Sequence, residues 1–388
     1  MLQPQSQSLS DNSPNKIPLP PGCELRCPGC EHRDFSAEAS IEKKSRFLKS
    51  QLNLSPEKIA PVRFSTSEKR WNYRDKVCLK SFYLDGRWQF GFILKRRREI
   101  ETVAIPNCPV QSIRANRVFS ILSDALPPPD AFPMVYVSMT GALLTLVLKA
   151  PLEKVGLYSR FLSSTLQGAL TEAGIEGLFL NFNPSAGNRV FASKGWRSIW
   201  GNPTANLNLG APLNRQVTFG PECFLQLIPE LYLDALSEAA LFFKPAPGIK
   251  LIDLYSGIGI SSRLWTDLGA EVLGVELGSQ AIQMSRINCP SGNFLQGKAK
   301  DRLAQITDGE LLFLNPPRTG VEPETLNWIG RTLHPRKVAY LSCSPGTLSR
   351  DLSALKHLGY AILKVIPYDF FPNTKQIESL ALLDRVFQ

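Results

Sequence analysis

Three cysteines stand within eight residues, Cys23, Cys27 and Cys30, spaced C-x3-C-x2-C, and a fourth, Cys108, follows far downstream before Pro109. Thiolates this close repel one another unless a metal holds them, and structural zinc sites favour two close pairs. Three near cysteines with one remote Cys-Pro suit an iron–sulfur cluster better. Cys343 is a different case. It ends an apolar run and precedes a turn and a helical stretch, where a helix N-terminus favours the thiolate. Glu378 precedes the strand-like residues 379–383. Cys78, Cys223 and Cys289 have no such company and read as packing residues.

A second kind of chemistry lies in Leu251-Ile252-Asp253-Leu254-Tyr255-Ser256-Gly257-Ile258-Gly259-Ile260. A strand ends in a turn whose glycines let a ligand approach the backbone. Glu276, at the end of the next strand, is placed to accept hydrogen bonds from ribose hydroxyls. The third glycine of a dinucleotide site is missing, because Ser262 stands there. With no pyrophosphate to bind, S-adenosylmethionine is the better nucleoside ligand. Asn315-Pro316-Pro317-Arg318 follows another apolar strand and delivers polar groups to the sheet's carboxyl edge.

These groups need rigid carriers, and the chain has room for them. Its 388 residues are 43% hydrophobic and 20% charged, an ordinary globular composition. No apolar run is long enough for a membrane span. The N-terminus lacks the basic start and apolar core of a secretory signal, so a cytoplasmic location is expected. Residues 1–20 are poor in apolar side chains and read as a flexible tail. Residues 21–215 read as a mixed α+β domain, with a helix over 35–52, strands near 76–80, 88–92, 134–137, 143–148 and 177–182, and a helix over 157–173. From 216 to 388 strands and helices alternate, which predicts a doubly wound, mostly parallel sheet.

The formal net charge is +10. The window 63–98 concentrates it, with 11 basic residues against 3 acidic ones. Trp71, Tyr73, Phe82, Tyr83, Trp88, Phe90 and Phe92 are interleaved with them. Basic groups neutralise phosphates and aromatics stack on unpaired bases, so RNA is the expected partner. The adjacent cations Lys95, Arg96, Arg97 and Arg98 strengthen that expectation.

Together these stretches resemble the S-adenosylmethionine-dependent RNA uracil-5-methyltransferases, most closely the iron–sulfur branch acting on 23S ribosomal RNA. The resemblance spans residues 23–388. The family's S-C-N-P-x-T is here Ser342-Cys343-Ser344-Pro345-Gly346-Thr347, and its D-x-F-P-x-T-x-H-x-E is Asp369 to Glu378. Its S-F-F-Q is Cys223-Phe224-Leu225-Gln226, and its D-P-P-R is Asn315 to Arg318. It implies a Rossmann-like methyltransferase domain behind a cluster-bearing domain, and a cytoplasmic monomer that binds RNA. It implies Cys343 as nucleophile and Glu378 as base. S-adenosylmethionine would be held by Gln226, Tyr255, Gly257, Ile260, Glu276 and Asn315. A 4Fe-4S cluster would be held by Cys23, Cys27, Cys30 and Cys108.

The chain departs from the pattern in places. Gln376 replaces a His, Asn315 replaces an Asp, and Lys298 puts a cation on the adenine side. The first cysteine gap is short, and no small β-barrel module precedes the cluster motif. Three alternatives stand beside the ribosomal reading. One is a transfer-RNA uridine methyltransferase. Another is an amino-methyltransferase, because Asn315-Pro316-Pro317 is similar to the turn that holds an exocyclic amine. The third is an inactive ribosomal-RNA-binding chaperone.

Overall fold

A computed structural model of the chain describes residues 17–65, 67–96, 99–185 and 189–386. Most of the expected tail, residues 1–16, and Arg97 and Arg98 of the basic run lie outside the described residues.

Helix α1 (Ala37–Gln51) starts where the Ser36 hydroxyl accepts the Ala39 N–H, a normal N-cap. An antiparallel hairpin follows, β1 (Lys76–Leu84) and β2 (Arg87–Arg96), turning at Asp85-Gly86, both with positive φ. That is the dipeptide such a tight turn requires. The domain continues with β3 (Glu99–Ala104), α2 (Ile113–Ala125), β4 (Met134–Thr140), β5 (Leu143–Leu148), α3 (Val155–Ser159), α4 (Ser164–Glu172), β6 (Gly177–Phe182) and β7 (Trp196–Gly201). The helical residues around 157–173 are thus two helices. The sheet runs β3-β2-β1-β4-β5-β6-β7, with only the β5–β6 pair parallel. Strands β5 and β6 are buried at every position. One face packs Leu144, Leu146 and Leu180 under α2 and α4, and the other turns Leu143 and Phe179 towards the C-terminal half.

A small hairpin of β8 (Ala205–Leu209) and β9 (Arg215–Phe219) leads to the second sheet. The elements there are α5 (Pro229–Phe243), β10 (Lys250–Leu254), α6 (Ile260–Asp267), β11 (Glu271–Glu276), α7 (Ser279–Asn288), β12 (Asn293–Gln296), β13 (Leu311–Leu314), α8 (Pro323–Trp328), β14 (Lys337–Ser342), α9 (Pro345–His357), β15 (Tyr360–Tyr368) and β16 (Glu378–Arg385). The order is β12-β11-β10-β13-β14-β16-β15. The strands β10 to β14 pair in parallel, as the alternating pattern predicts, while β16 lies antiparallel between β14 and β15. The order reverses between β10 and β13, and ligands bind such sheets at the carboxyl ends beside that switch point.

The stretch 37–63, grouped by sequence with the N-terminal domain, packs on the C-terminal one. Leu48, Leu52, Ile59 and Val62 share a core with Leu348, Leu352 and Val365. Ile59 and Arg63 bridge to Val365 and Tyr368 and so cover the open edge of β15. The reason is amphipathy without a local partner, since the apolar side of α1 meets the apolar side of α9.

Lys44 fixes this arrangement. Its side chain is fully buried. The ammonium donates to Asp369 Oδ1 at 2.5 Å and to the Phe371 carbonyl at 2.9 Å. Burial pushes the Lys44 pKa down, while Asp369 opposes the shift. Lys44→Met leaves the Asp369 carboxyl buried without its cation, which costs about 3–5 kcal/mol. Thermal unfolding is expected to show a clear drop in Tm for this variant and partial recovery in Lys44→Met/Asp369→Asn.

Candidate active site

The register of two strands brings the reacting groups together. Ser342 pairs with Ser379 at the end of the antiparallel β14–β16 ladder. One residue further along, Cys343 lies close enough to Glu378 for the two charges to interact, and both line the same cavity. Pro345 begins α9 directly behind the thiol. Glu378 is 3% exposed, and burial pushes its carboxyl up to about 8 against the opposing pull of Arg318. Burial and the nearby Glu378 push the Cys343 thiol up, and Arg318 draws it back. Arg318 also donates to the Gln376 side chain at 2.9 Å, so the residue in place of the family's His takes part in holding the cation.

The ligand turn follows β10. Tyr255, Gly257 and Gly259 all have positive φ, and a Cβ on Gly257 would meet nothing within 4 Å. Tyr255 is held in this uncommon conformation by its hydroxyl, which donates to Glu322 at 2.5 Å. The Asn288 side chain donates to the Thr218 and Ile258 carbonyls, both at 2.9 Å, and pins the turn from behind. Glu276 accepts the Gly257 N–H at 3.1 Å and the Gly278 N–H at 2.7 Å. A carboxylate has four lone-pair directions, so it retains capacity for hydroxyl donors.

Cys343, Glu378, Gln226, Tyr255, Gly257, Ile260, Glu276 and Asn315 all line one cavity of about 750 Å³. That volume suits a nucleoside-sized ligand and a base together. The Ser256 hydroxyl, also at the wall, is buried without a hydrogen-bond partner, as expected where a ligand completes the site. Lys298 lines the same space.

The sequence reading missed the opposite wall, which the N-terminal sheet supplies through Lys76, Cys78, Ser138 and Thr140. Cys78, read as a packing residue, is exposed and lines the cavity, because β1 is the strand that faces the C-terminal domain here. The alternation on β1, with Val77 and Leu79 buried on the helix-covered side, was the available signal.

The basic window is also less free than its composition suggests. Trp88 and Phe90 are core residues, so neither can stack on a base. Arg63 is paired with Asp234 and Glu238, each at 2.6 Å, and Arg87 with Asp124.

Cys23, Cys27, Cys30 and Cys108 come close enough for their charges to interact. The Cys30 thiol is pushed up to about 12, first by burial and then by the other three cysteines. The Gly29 N–H points at Cys27 Sγ at 3.4 Å. Among the described residues, however, no group of three or more His, Cys, Asp or Glu side chains is arranged to hold a metal ion.

Comparison with known proteins agrees with this architecture. Residues 298–386 match the family model described as tRNA (Uracil-5-)-methyltransferase. An uncharacterized RNA methyltransferase of Thermosynechococcus vestitus is 28% identical, over 94% of this chain and 84% of its own length. One from Clostridium acetobutylicum is 25% identical over the same shares. The crystal structure of Pyrococcus abyssi tRNA (uracil-54, C5)-methyltransferase with S-adenosyl-L-homocysteine superposes with a TM-score of 0.71. It is 21% identical, with 96% of this chain and 86% of that one covered. The fold is that of an S-adenosylmethionine-dependent methyltransferase, and the matched segment and relatives support an RNA methyltransferase. No helix among the described residues is long and apolar enough to cross a membrane.

The raised Glu378 carboxyl has a consequence for stability. The folded chain keeps this proton up to about pH 8, whereas an unfolded glutamate loses it near its ordinary value of 4.5. Between these values the folded state binds more protons, so this group makes stability fall as pH rises. Asp253, pushed up to about 6 by burial, adds to the slope only in the lower part of the window. Tm measured from pH 6 to 8 should therefore decline more steeply in wild type than in Glu378→Gln.

Proposed function

We propose that this RNA methyltransferase transfers a methyl group from S-adenosylmethionine to carbon 5 of a uridine. The observation that carries the reading is Cys343 beside Glu378 at the end of β14 and the start of β16, inside the cavity that also holds the turn after β10. Gly257, Glu276, Gln226, Tyr255, Ile260 and Asn315 would hold the cofactor, which supplies an electrophilic methyl group when bound.

Carbon 5 of uracil is a poor nucleophile, and the two reacting residues repair that. The Cys343 thiolate bonds to carbon 6, and the double-bond electrons move to oxygen 4 as an enolate. Carbon 5 is then nucleophilic. Once it carries the methyl group, Glu378 takes its remaining proton, the carbon 6–sulfur bond breaks, and the double bond returns. Arg318 balances a single negative charge, so thiolate and carboxylate need not be anionic together. The target base must leave its stack to reach the cavity.

The Cys343–Glu378 pair favours this reading over the amino-methyltransferase and chaperone readings, which leave it without a task. Ribosomal RNA is the substrate supported by the motif resemblance. Transfer RNA is the second reading, supported by the description of the matched family. Mass mapping of 5-methyluridine in both RNA classes, with and without the protein, separates them.

Cys343→Ala is expected to abolish methylation while leaving RNA affinity intact. Glu378→Gln keeps the nucleophile and loses the base, which typically costs about 10²–10⁴ in rate. It should accumulate a denaturation-resistant protein–RNA adduct that requires both Cys343 and S-adenosylmethionine. Normal turnover by this variant would remove Glu378 from the mechanism.

We further propose that Cys23, Cys27, Cys30 and Cys108 ligate an iron–sulfur cluster with a structural role. Cys23, Cys27 and Cys30 are raised by burial and by the charge of neighbouring cysteines, Cys108 among them, and such a donor set is one that a cluster would stabilise. Protein purified without oxygen should be brown and contain iron and acid-labile sulfide, whereas zinc without iron would overturn the assignment.

A further inference from the structure

The cavity contains a cation that the mechanism above does not use. Lys76 begins β1 on the wall supplied by the N-terminal sheet. Its ammonium donates to the Cys223 carbonyl at 2.5 Å and sits 5.1 Å from the centre of the Phe224 ring. Among the described residues no carboxylate pairs with it, and Glu276 across the cavity is engaged with the Gly257 and Gly278 N–H groups. Burial lowers the Lys76 pKa to about 8, the direction expected of an ammonium taken out of water without an anion. A carbonyl and a ring face compensate only part of a desolvated charge. Such a cation in a binding cavity is explained when the ligand brings the anion.

The geometry indicates which anion. A sulfonium carries three divergent substituents. Its adenosyl group leads to Glu276 and the turn after β10, and its methyl group must face the base held by Cys343. The amino-acid chain is left with the third direction, towards residues 221–227 and β1. We propose that Lys76 binds the α-carboxylate of the cofactor's methionyl group and thereby selects S-adenosyl amino acids over decarboxylated analogues. This inference rests on the methyltransferase reading and adds a specificity residue to it. The other anion available to the cavity is a phosphate of the substrate RNA.

Isothermal titration of the full chain with S-adenosylhomocysteine, its decarboxylated analogue and a uridine-containing oligonucleotide separates these possibilities. Wild type should bind S-adenosylhomocysteine about 10- to 100-fold more tightly than the analogue, the range of a charge-assisted hydrogen bond. Lys76→Met should lose most of that discrimination, with weaker binding of S-adenosylhomocysteine and unchanged binding of the analogue. Lys76→Arg should restore part of it. Lys76→Met should also keep its Tm, because a half-buried ammonium without an ion pair is removed, and this shows that the variant folds. Equal discrimination in Lys76→Met and wild type overturns the proposal and leaves the methyltransferase reading standing. Weakened oligonucleotide binding with intact cofactor discrimination overturns it in favour of a phosphate. Wild type that binds neither nucleoside would overturn both the proposal and the reading beneath it.

Discussion

The site depends on one electrostatic constraint: a half-buried thiol and a buried carboxyl share a corner with an exposed guanidinium. In water both would titrate independently. Here burial raises both, the Glu378 charge further disfavours the Cys343 thiolate, and Arg318 draws each of them back. Both groups are therefore held towards their protonated forms, and only one need give up its proton at a time. That sequence is what a covalent addition followed by a proton abstraction requires. The nucleophile is charged early, and the base is charged late.

The fold makes this corner by reversing one strand. An all-parallel sheet presents only strand ends and helix starts at its carboxyl edge. Because β16 runs antiparallel, its first residue, Glu378, arrives at the same edge as the end of β14. Glu378 is also paired with Tyr368 on β15, which fixes its position. Between β15 and β16 the loop is held from the N-terminal half of the chain. Lys44 binds Asp369, the Tyr73 hydroxyl donates to the Pro372 carbonyl, and the Asn373 side chain donates to the Arg70 carbonyl. The His32 N–H, two residues past Cys30, donates to the Asn373 carbonyl at 2.9 Å. The cysteine loop and the catalytic strand are thus mechanically joined.

Much of this was legible in the residues. The C-terminal strands and helix α7 follow from apolar runs bounded by glycines, asparagines and prolines, and Cys343, Glu378 and the turn after β10 could be picked by type and position. Two things were not legible. Apolar periodicity says that α1 buries a face but not against what, so its attachment to α9 rather than to the N-terminal sheet required the three-dimensional arrangement. Likewise, Lys76 and Cys78 belong to a strand whose pattern reports only that one side is buried. That the other side closes a cavity depends on a partner surface more than 140 residues away in sequence. Trp88 and Phe90 show the converse error, since aromatics beside basic residues resemble a stacking platform until the core claims them.

The covering of β15 by residues 59–63 has a consequence for how the chain is made. Synthesis proceeds from the N-terminus, so the residues that clamp this edge leave the ribosome about 300 positions before the strand they cover. Until then Ile59, Val62 and the buried side of α1 have no surface to occupy. Covering this edge closes a loop of about 300 residues, whose entropy cost precedes its contacts. A nascent chain of this protein must therefore carry an exposed apolar helix through most of its elongation, in the interval when chaperone binding matters most.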